Sequence, residues 1–358
     1  MRGYLRQDGR KGIRNHVVVA FLVECARHVA EEIAESFSDG TVQLIGFPSC
    51  YPSIYGDVML NALGAHPNVG AVLLISLGCE SFRGGALESA INTSGRPAKL
   101  LTIQHAGGTR STIAAGRDWV GSALARLKQM RPLELQLGDL GVGLLPGLAR
   151  PETMQLLGQV TDRLLGAGVA IIVDDLAKGR DLQDRAASPE IASRLANLSE
   201  RAAYCRALLG DQFELPAHSH RFAGNAAIAG LLYPAQPPSG KGLYLLDNVP
   251  SGEPRHGPID LSPAVAAAEL AACGVQLLIA AADDGQLAGS ALLPVIKISA
   301  DSALSMNAGS EVDATDVDQT MAAIHRAMDG QKTRAEQLGY CDFALAHKDL
   351  RPERGIRS

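Results

Sequence analysis

The chain has 358 residues, 46% of them apolar and only 4% aromatic, and 33 Lys plus Arg against 38 Asp plus Glu leave a formal charge of −5. At about 150 residues per domain this is roughly two domains with aliphatic cores, and the apolar fraction excludes a natively disordered chain. A negative balance without any block of Lys and Arg argues against nucleic acid as a partner, and no apolar run approaches the ~20 residues of a membrane helix.

Residues 1–14 hold four arginines and a lysine without an apolar stretch, so they do not read as a secretory signal. Six cysteines without such a signal point to a reducing, cytoplasmic setting, with the cysteines as thiols or metal ligands.

Apolar runs alternate with amphipathic stretches, the pattern of an α/β fold with mainly parallel sheets. Strands are expected at 17–23, 42–47, 69–77 and 100–103, with helices at 26–37, 53–63, 87–92 and 111–130. These complete one Rossmann-like lobe, residues 1–134. A second α/β lobe, residues 135–358, is expected to hold strands at 140–145, 169–173, 243–246, 275–281 and 293–298. Its helices fall at 151–165, 188–209, 263–273, 316–328 and 333–338, the first opening on Pro151-Glu152. Residues 211–241, richer in Pro, Gly and His, read as an irregular excursion able to carry functional loops.

In open parallel sheets ligands bind beyond the carboxyl ends of the strands. Glu24-Cys25 follows the first expected strand, Pro48-Ser49-Cys50 the second, Gly78-Cys79-Glu80 the third, and Gln104-His105-Ala106-Gly107-Gly108-Thr109 the fourth. Three of the six cysteines thus recur at equivalent places. Thiolates are soft ligands, so Cys25, Cys50 and Cys79 can hold an iron–sulfur cluster with one open iron. They can equally hold a single metal completed by His105 or a substrate oxygen. The alternative is structural: cysteine is a small hydrophobe suited to such sites, and no Cys-x-x-Cys is present. Gly107-Gly108-Thr109 opens a helix directly after a strand, where amides and the helix dipole suit a carboxylate or phosphate. A plain tight turn capped by Thr109 or Ser111 is the competing reading.

Arg6, Arg10 and Arg14 recur every four residues, but Gly9 and Gly12 argue against a helix. As a turn-rich loop the segment can aim guanidinium forks at a carboxylate; otherwise it is a solvated basic tail. Arg14-Asn15 lead into the amino end of the first strand, opposite the cysteines, so the loop must wrap round or serve another pocket. In the second lobe, Asp174-Asp175, Asp247 and Asp283-Asp284 follow strands and either hold Mg²⁺ or Mn²⁺ or cap the next helices. Lys297 stands inside a strand, a candidate base or carboxylate partner if it faces a cleft and an edge residue if it does not. Nucleotide motifs fail: the first strand is followed by Cys25-Ala26-Arg27-His28, and Ser239-Gly240-Lys241-Gly242 lacks the other P-loop residues.

The run Gly3-Tyr4-x-Arg6-x-Asp8-Gly9-Arg10-x-Gly12-x-Arg14-Asn15 resembles the opening signature of the altronate/galactarate dehydratase family, which includes sulfolactate sulfo-lyase. The resemblance continues through Cys25, His66-Pro67-Asn68-Val69-Gly70, Leu77-Gly78-Cys79-Glu80, Gln104 and Gly107-Gly108-Thr109. It returns at Gly224-Asn225, Pro294-Val295-Ile296-Lys297 and Ala335-Glu336. It implies removal of water or sulfite from a hydroxy or sugar acid, iron or another divalent metal such as Mn²⁺, and a small β-rich domain or subunit as partner. No β-rich small domain is evident in the chain itself, which suggests a large subunit in an oligomer. Where the family carries Cys-Gly-Gly-Ser-Asp this chain has Pro146-Gly147-Leu148-Ala149-Arg150. The family's Glu-Lys-Ser-Leu-Gly segment is absent after Asn225, and its Thr-Thr-Gly-rich strand end is replaced by Ala282-Asp283-Asp284-Gly285.

The expected site therefore places a metal at Cys25, Cys50 and Cys79 as Lewis acid toward the leaving hydroxyl. Arg6, Arg10, Arg14, Asn15, Gln104, Gly107, Gly108 and Thr109 would bind the acid and its developing charge. His105 and Lys297 are the candidate bases, His105 first because imidazole as a class exchanges protons near neutral pH. The rival is a non-catalytic or sugar-acid-binding subunit that keeps the first lobe alone.

Overall fold

The computed structural model describes residues 1–51, 53–208, 219–250, 262–283, 288–301, 303–304 and 311–346. The chain opens with β1 (Arg2–Leu5) and β2 (Lys11–Gly12), an antiparallel pair. A parallel sheet follows, built from β3 (His16–Phe21), α1 (Arg27–Ala34), β4 (Val42–Gly46), α2 (Ile54–Gly64), β5 (Val69–Ser76), α3 (Gly84–Thr93), β6 (Ala98–Thr102) and α4 (Thr109–Lys128), in strand order β4-β3-β5-β6. β7 (Leu133–Glu134) returns to pair with β1.

The second parallel sheet is larger. It comprises β8 (Gly141–Leu145), α5 (Pro151–Gly166), β9 (Ala170–Val173), α6 (Pro189–Leu208), β10 (Ile228–Leu232), β11 (Gly242–Leu246), α7 (Pro263–Ala272), β12 (Leu277–Ala281) and β13 (Val295–Ile298), in order β10-β11-β9-β8-β12-β13. Helices α8 (Val317–Met328) and α9 (Arg334–Gln337) follow. The fold is thus α/β with two Rossmann-like parallel sheets, and the described residues contain no β-rich small domain beyond the short β2-β1-β7 ribbon.

Every residue of β3 and β5 is buried, as unbroken Val/Leu/Ile runs require when helices cover both faces. Val17, Val19 and Leu73 pack against α1 and α4, while Val18, Ala20 and Leu74 face the opposite way. That second face shares one core with Leu145, Ile172, Tyr244 and Leu278 of the other sheet, with α2, α3 and α7 between them. The far face of the second sheet packs on α5, α6 and α8. Helix α7 is alanine-rich and buried almost throughout, which fits a helix with protein on all sides.

Two expectations differ from the structure. The stretch 211–241 is not irregular throughout: Ile228–Leu232 forms β10, parallel to β11. Its five residues include Gly230 and Ala229, so the β signal is weak. The arginine loop is anchored at both ends by β1, β2 and β7, which are too short for a period-2 pattern to register. Residues 211–218 and Asp284 lie outside the described residues.

The amino ends of the two sheets are welded together by buried polar groups. A Cβ on Gly12 would lie 2.0 Å from the Pro67 carbonyl oxygen, so only glycine fits there. Asn68 accepts from the Ile13 amide (2.9 Å) and donates to the carbonyls of Gln276 (2.9 Å) and Leu292 (3.0 Å). The Asn68 amide donates to His66 Nδ1 (3.0 Å), and His66 Nε2 lies 2.7 Å from the Val275 carbonyl oxygen, which defines a neutral ring carrying its proton on Nε2. Gln276 Nε2 donates back to the Lys11 carbonyl at 2.7 Å. Arg14 forks onto both oxygens of Glu336 at 2.7 Å and adds the Ala327 carbonyl at 2.8 Å.

Burial pushes the Glu336 carboxyl up, but the hydrogen bonds and charge of Arg14 outweigh it and leave it below the usual carboxylate range. Stability from this pair is therefore present at neutral pH and lost as pH falls below about 4.3. Arg14→Ala should lower the unfolding free energy by about 2–3 kcal/mol at pH 7, the pair being only partly buried. Urea titration should show that difference shrinking in acid.

Burial lowers His66 to about 3, and burial with the nearby Arg14 charge lowers His16 to about 4. The unfolded chain binds these protons from about pH 6.5 downward and the folded chain does not. Stability should be complete above pH ~6.5 and decline toward pH ~4. His66→Gln, measured by urea unfolding across that range, should flatten the decline.

Candidate active site

The strand order of the first sheet reverses between β3 and β5, and the crevice beyond that switch point is where ligands bind in such folds. Cys25 sits in a short 3-10 turn, Glu24–Ala26, after β3. Cys79 follows β5, and Cys50 follows β4 on the other side of β3. All three thiols are exposed. The Cys50 carbonyl accepts both the amide and the hydroxyl of Ser81 at 3.0 Å, tying the Cys50 and Cys79 loops together. Glu80 holds the second loop in shape, accepting from the Ser76 hydroxyl and from the Gly78 amide at 2.8 Å. Burial raises the Glu80 carboxyl, yet these hydrogen bonds prevail and keep it below its ordinary value.

The donor set, three soft thiols at one end of three adjacent strands, has the chemistry that suits iron or an iron–sulfur cluster. Among the described residues no three His, Cys, Asp or Glu side chains are drawn together closely enough to hold a metal ion.

The turn after β6 borders the same crevice. A Cβ on Gly78 would meet Gln104 Oε1 at 2.8 Å, so the Gln104 amide lies over the Cys79 turn. His105 and Thr109 are exposed. Gly107 and Gly108 have φ of 85° and 90°, the left-handed region that favours glycine, and Gly108 is the residue before α4. The Gly108 amide donates to the Ile103 carbonyl at 3.0 Å, so the outward donors are instead the first amides of α4, which have no intrahelical acceptor.

The arginines expected to clamp a carboxylate have partners within the chain. Arg6 is buried, with Nε on the Pro67 carbonyl (2.7 Å) and the rest of the fork on Asn15 Oδ1 (2.9 Å) and the Arg14 carbonyl (3.1 Å). Arg10 is held by Asp8 and the Ala65 carbonyl, and Arg14 by Glu336. These groups stand at the amino ends of the strands, away from the thiols, because guanidinium forks that close to carbonyls and carboxylates satisfy them internally. Asn15 is spent on Arg6 and the Leu127 carbonyl.

The second-lobe acids are also engaged. Asp175 accepts from the amides of Ala177 (3.0 Å) and Gly179 (2.9 Å), and burial pushes its carboxyl up. Asp283 accepts from the Arg150 amide (2.8 Å) and the Ser299 hydroxyl, and Arg150 also pairs with Asp301. Lys297 lies 3.4 Å from Glu311 and over the Tyr340 ring at 5.4 Å; no described contact brings it to His105.

A second polar cluster escapes sequence reasoning. At the carboxyl ends of β9 and β11, Asp174 pairs with Lys178 and accepts from Asn248 Nδ2 at 3.3 Å. Asn248 Nδ2 also reaches Glu269 (2.7 Å), which accepts from the Tyr55 hydroxyl (2.8 Å) of α2. One signal was available: Glu269 is a lone acid in the apolar run Val265 to Ala272.

Together these features define an α/β protein whose polar and nucleophilic groups collect at the carboxyl ends of two parallel sheets. Residues 3–128 match the second domain of D-galactarate dehydratase/altronate hydrolase, and residues 219–350 match the D-galactarate/altronate dehydratase C-terminal domain. The chain belongs to this family of lyases. It is 25% identical to the beta subunit of (2R)-sulfolactate sulfo-lyase from Chromohalobacter salexigens across 96% of both chains. It is 24% identical to altronate dehydratase of Bacillus subtilis over 55% of this chain and 44% of that protein. Against altronate dehydratase of Escherichia coli the identity is 33%, over 25% of this chain and 20% of the other. No helix among the described residues is long and apolar enough to cross a membrane.

Exposure separates the thiols. Cys25, Cys50, Cys79 and Cys341 are exposed, whereas Cys205 and Cys273 are buried and burial pushes Cys273 up to about 12. Titration of the folded, metal-free protein with a disulfide reagent should modify the first four quickly and the other two only on unfolding.

Proposed function

We propose that this chain is the large subunit of a lyase that eliminates water, or another small group, from a hydroxy acid or sugar acid, with iron or another divalent metal such as Mn²⁺ at Cys25, Cys50 and Cys79. The observation that supports this most is the placement of those thiols around the switch point of the first sheet, in a chain related throughout its length to a sulfo-lyase subunit. In this reading the lobe of residues 1–134 carries the metal and the lobe of residues 135–358 completes the pocket. A second subunit is the expected partner, since the sulfolactate relative is itself named a beta subunit, and the family resemblance makes that partner small and β-rich. The setting is cytoplasmic and reducing, which keeps the exposed thiols free.

The substrate carboxylate binds at the open amides and positive dipole end of α4, beside Gln104 and Thr109. This contact also stabilises the negative charge that develops when the proton on the adjacent carbon is removed. His105, exposed on the turn before α4, takes that proton. A metal held by the thiols supplies Lewis acidity toward the leaving oxygen. Lys297 sits with Glu311 and Tyr340, so it acts on the packing of the second sheet in this reading rather than as the base.

One observation favours a second reading, a sugar-acid-binding subunit without turnover. Arg150 and Asp283, at the switch point of the second sheet, are locked to Asp301 and Ser299, where relatives are expected to carry Cys-Gly-Gly-Ser-Asp.

Anaerobically purified protein should contain iron, with sulfide if a cluster forms, and Cys25→Ser, Cys50→Ser and Cys79→Ser should each lose it. Absence of metal in every preparation would overturn the metal-dependent reading. Turnover of altronate, galactarate and (2R)-sulfolactate, with and without a small-subunit partner, separates enzyme from binding subunit. His105→Ala should lower kcat by about 100-fold or more while the metal content stays unchanged.

A further inference from the structure

The two sheets open toward the same side. Tyr55, at the start of α2, bonds Glu269 of α7, and His66, just past the end of α2, meets Val275, just past the end of α7. Glu269 lies in the last turn of α7, so the two contacts follow the same chain direction in both helices, and each helix begins at the carboxyl end of its parallel sheet. The Cys50 loop that leads into α2 and the polar ends of β9 and β11 consequently border one interlobe region.

Within that region Lys178 and Asn248 are each 2% exposed. Both donate to the same atom, Asp174 Oδ1. An ammonium has three donors, and the one acceptor found for Lys178 among the described residues is Asp174. Asn248 Oδ1 is buried and has no hydrogen-bond partner among the described residues. Side by side there are thus spare donors and a spare acceptor. A hydroxyl is the group that satisfies both, accepting from one neighbour and donating to the other. A carboxylate would leave the amide oxygen unsatisfied, and the neighbouring Asp174 and Glu269 repel it.

The backbone is built to present the lysine. Lys178 has φ of 50°, a left-handed conformation uncommon outside glycine. The turn is held by Asp175, whose oxygens accept the amides of Ala177 and Gly179 on either side of it. Strain of this kind persists where the surroundings over-determine it and clusters at functional sites.

We propose that Lys178 and Asn248 form the second-lobe contact for a substrate hydroxyl, so that the first lobe reads the carboxylate and the second reads the hydroxyl chain. This rests on the lyase reading above and refines its substrate to an acid with more than the leaving hydroxyl.

The test is calorimetric binding of altronate and its monodeoxy analogues to the full chain and to the Asp174→Asn/Lys178→Met double variant, which keeps the cluster neutral. In the wild type one deoxy analogue should bind about 10- to 100-fold more weakly than altronate. That gap should vanish in the double variant, while its circular dichroism and metal content match the wild type. An unchanged gap in the folded variant would overturn the proposal, because ordered water rather than substrate then fills the Asn248 valence. If the double variant fails to fold, the same comparison is read on Lys178→Arg, which keeps the charge and displaces the donors. If the wild type binds none of altronate, galactarate and (2R)-sulfolactate, the lyase reading itself falls and the hydroxyl contact falls with it.

Discussion

A buried polar group must find a partner or destabilise the fold, and in this protein that rule fixes how the two sheets meet. His66, Asn68 and Gln276 are all buried; His66 and Asn68 reach from the first sheet to the second, and Gln276 reaches back to Lys11 of the ribbon. Removing one leaves several backbone groups unsatisfied at once, so the junction tolerates little change in register. The arginine loop belongs to this junction. Gly12 lets the loop approach the Pro67 carbonyl, Arg6 covers that carbonyl, and Arg14 extends the network to Glu336 in the last helix. Arg14 thus ties the loop to the second lobe, while Arg6 and Arg10 are held within the first.

With the amino ends joined, the carboxyl ends are free to form a cleft. The parallel run of α2 and α7 sets the direction, and the layer of small residues on α7 sets how near the sheets can come. A site divided between two rigid sheets places its polar groups on strand ends, where positions are better defined than on long loops. In the proposed site the first lobe contributes thiols, an amide-rich helix start and a histidine. The second contributes a lysine and an amide fixed by a buried hydrogen-bonded chain that begins at Tyr55, five positions after Cys50.

Much of this was legible in the sequence, and the exceptions have physical causes. Runs such as Val69–Ser76 are long and apolar on both faces, so strands and helices of the sheets stand out. The three cysteines fall after β3, β4 and β5 because strand ends can be placed to within a residue or two. Strand β10 escaped notice because Ala229 and Gly230 dilute its pattern. The role of Arg6, Arg10 and Arg14 was not legible, since composition shows guanidinium groups and not what answers them; Asp8, Ala65 and Glu336 lie far apart in the chain. Lys178 was hidden for a related reason: its partner Asp174 was visible as a strand-end acid, but a lysine four residues on is unremarkable until the fold shows that both are withdrawn from bulk solvent.

Two of the three departures from the family's expected motifs fall in one part of the molecule, and the third follows Asn225 at the β10 edge of the same sheet. Pro146 to Arg150 and Ala282-Asp283 follow β8 and β12, the two strands that flank the switch point of the second sheet. There the Arg150 amide and the Ser299 hydroxyl close on Asp283, and Arg150 pairs with Asp301, so the crevice is bridged by the chain's own groups. The polar groups with spare valences lie one and two strands away, beyond β9 and β11. A ligand held by the first lobe would therefore meet the second sheet off its switch point. On the proposed reading, changes at β8 and β12 would alter which part of an acid is recognised and leave the thiol-bearing crevice of the first sheet unaltered, the behaviour expected where one scaffold serves several related eliminations.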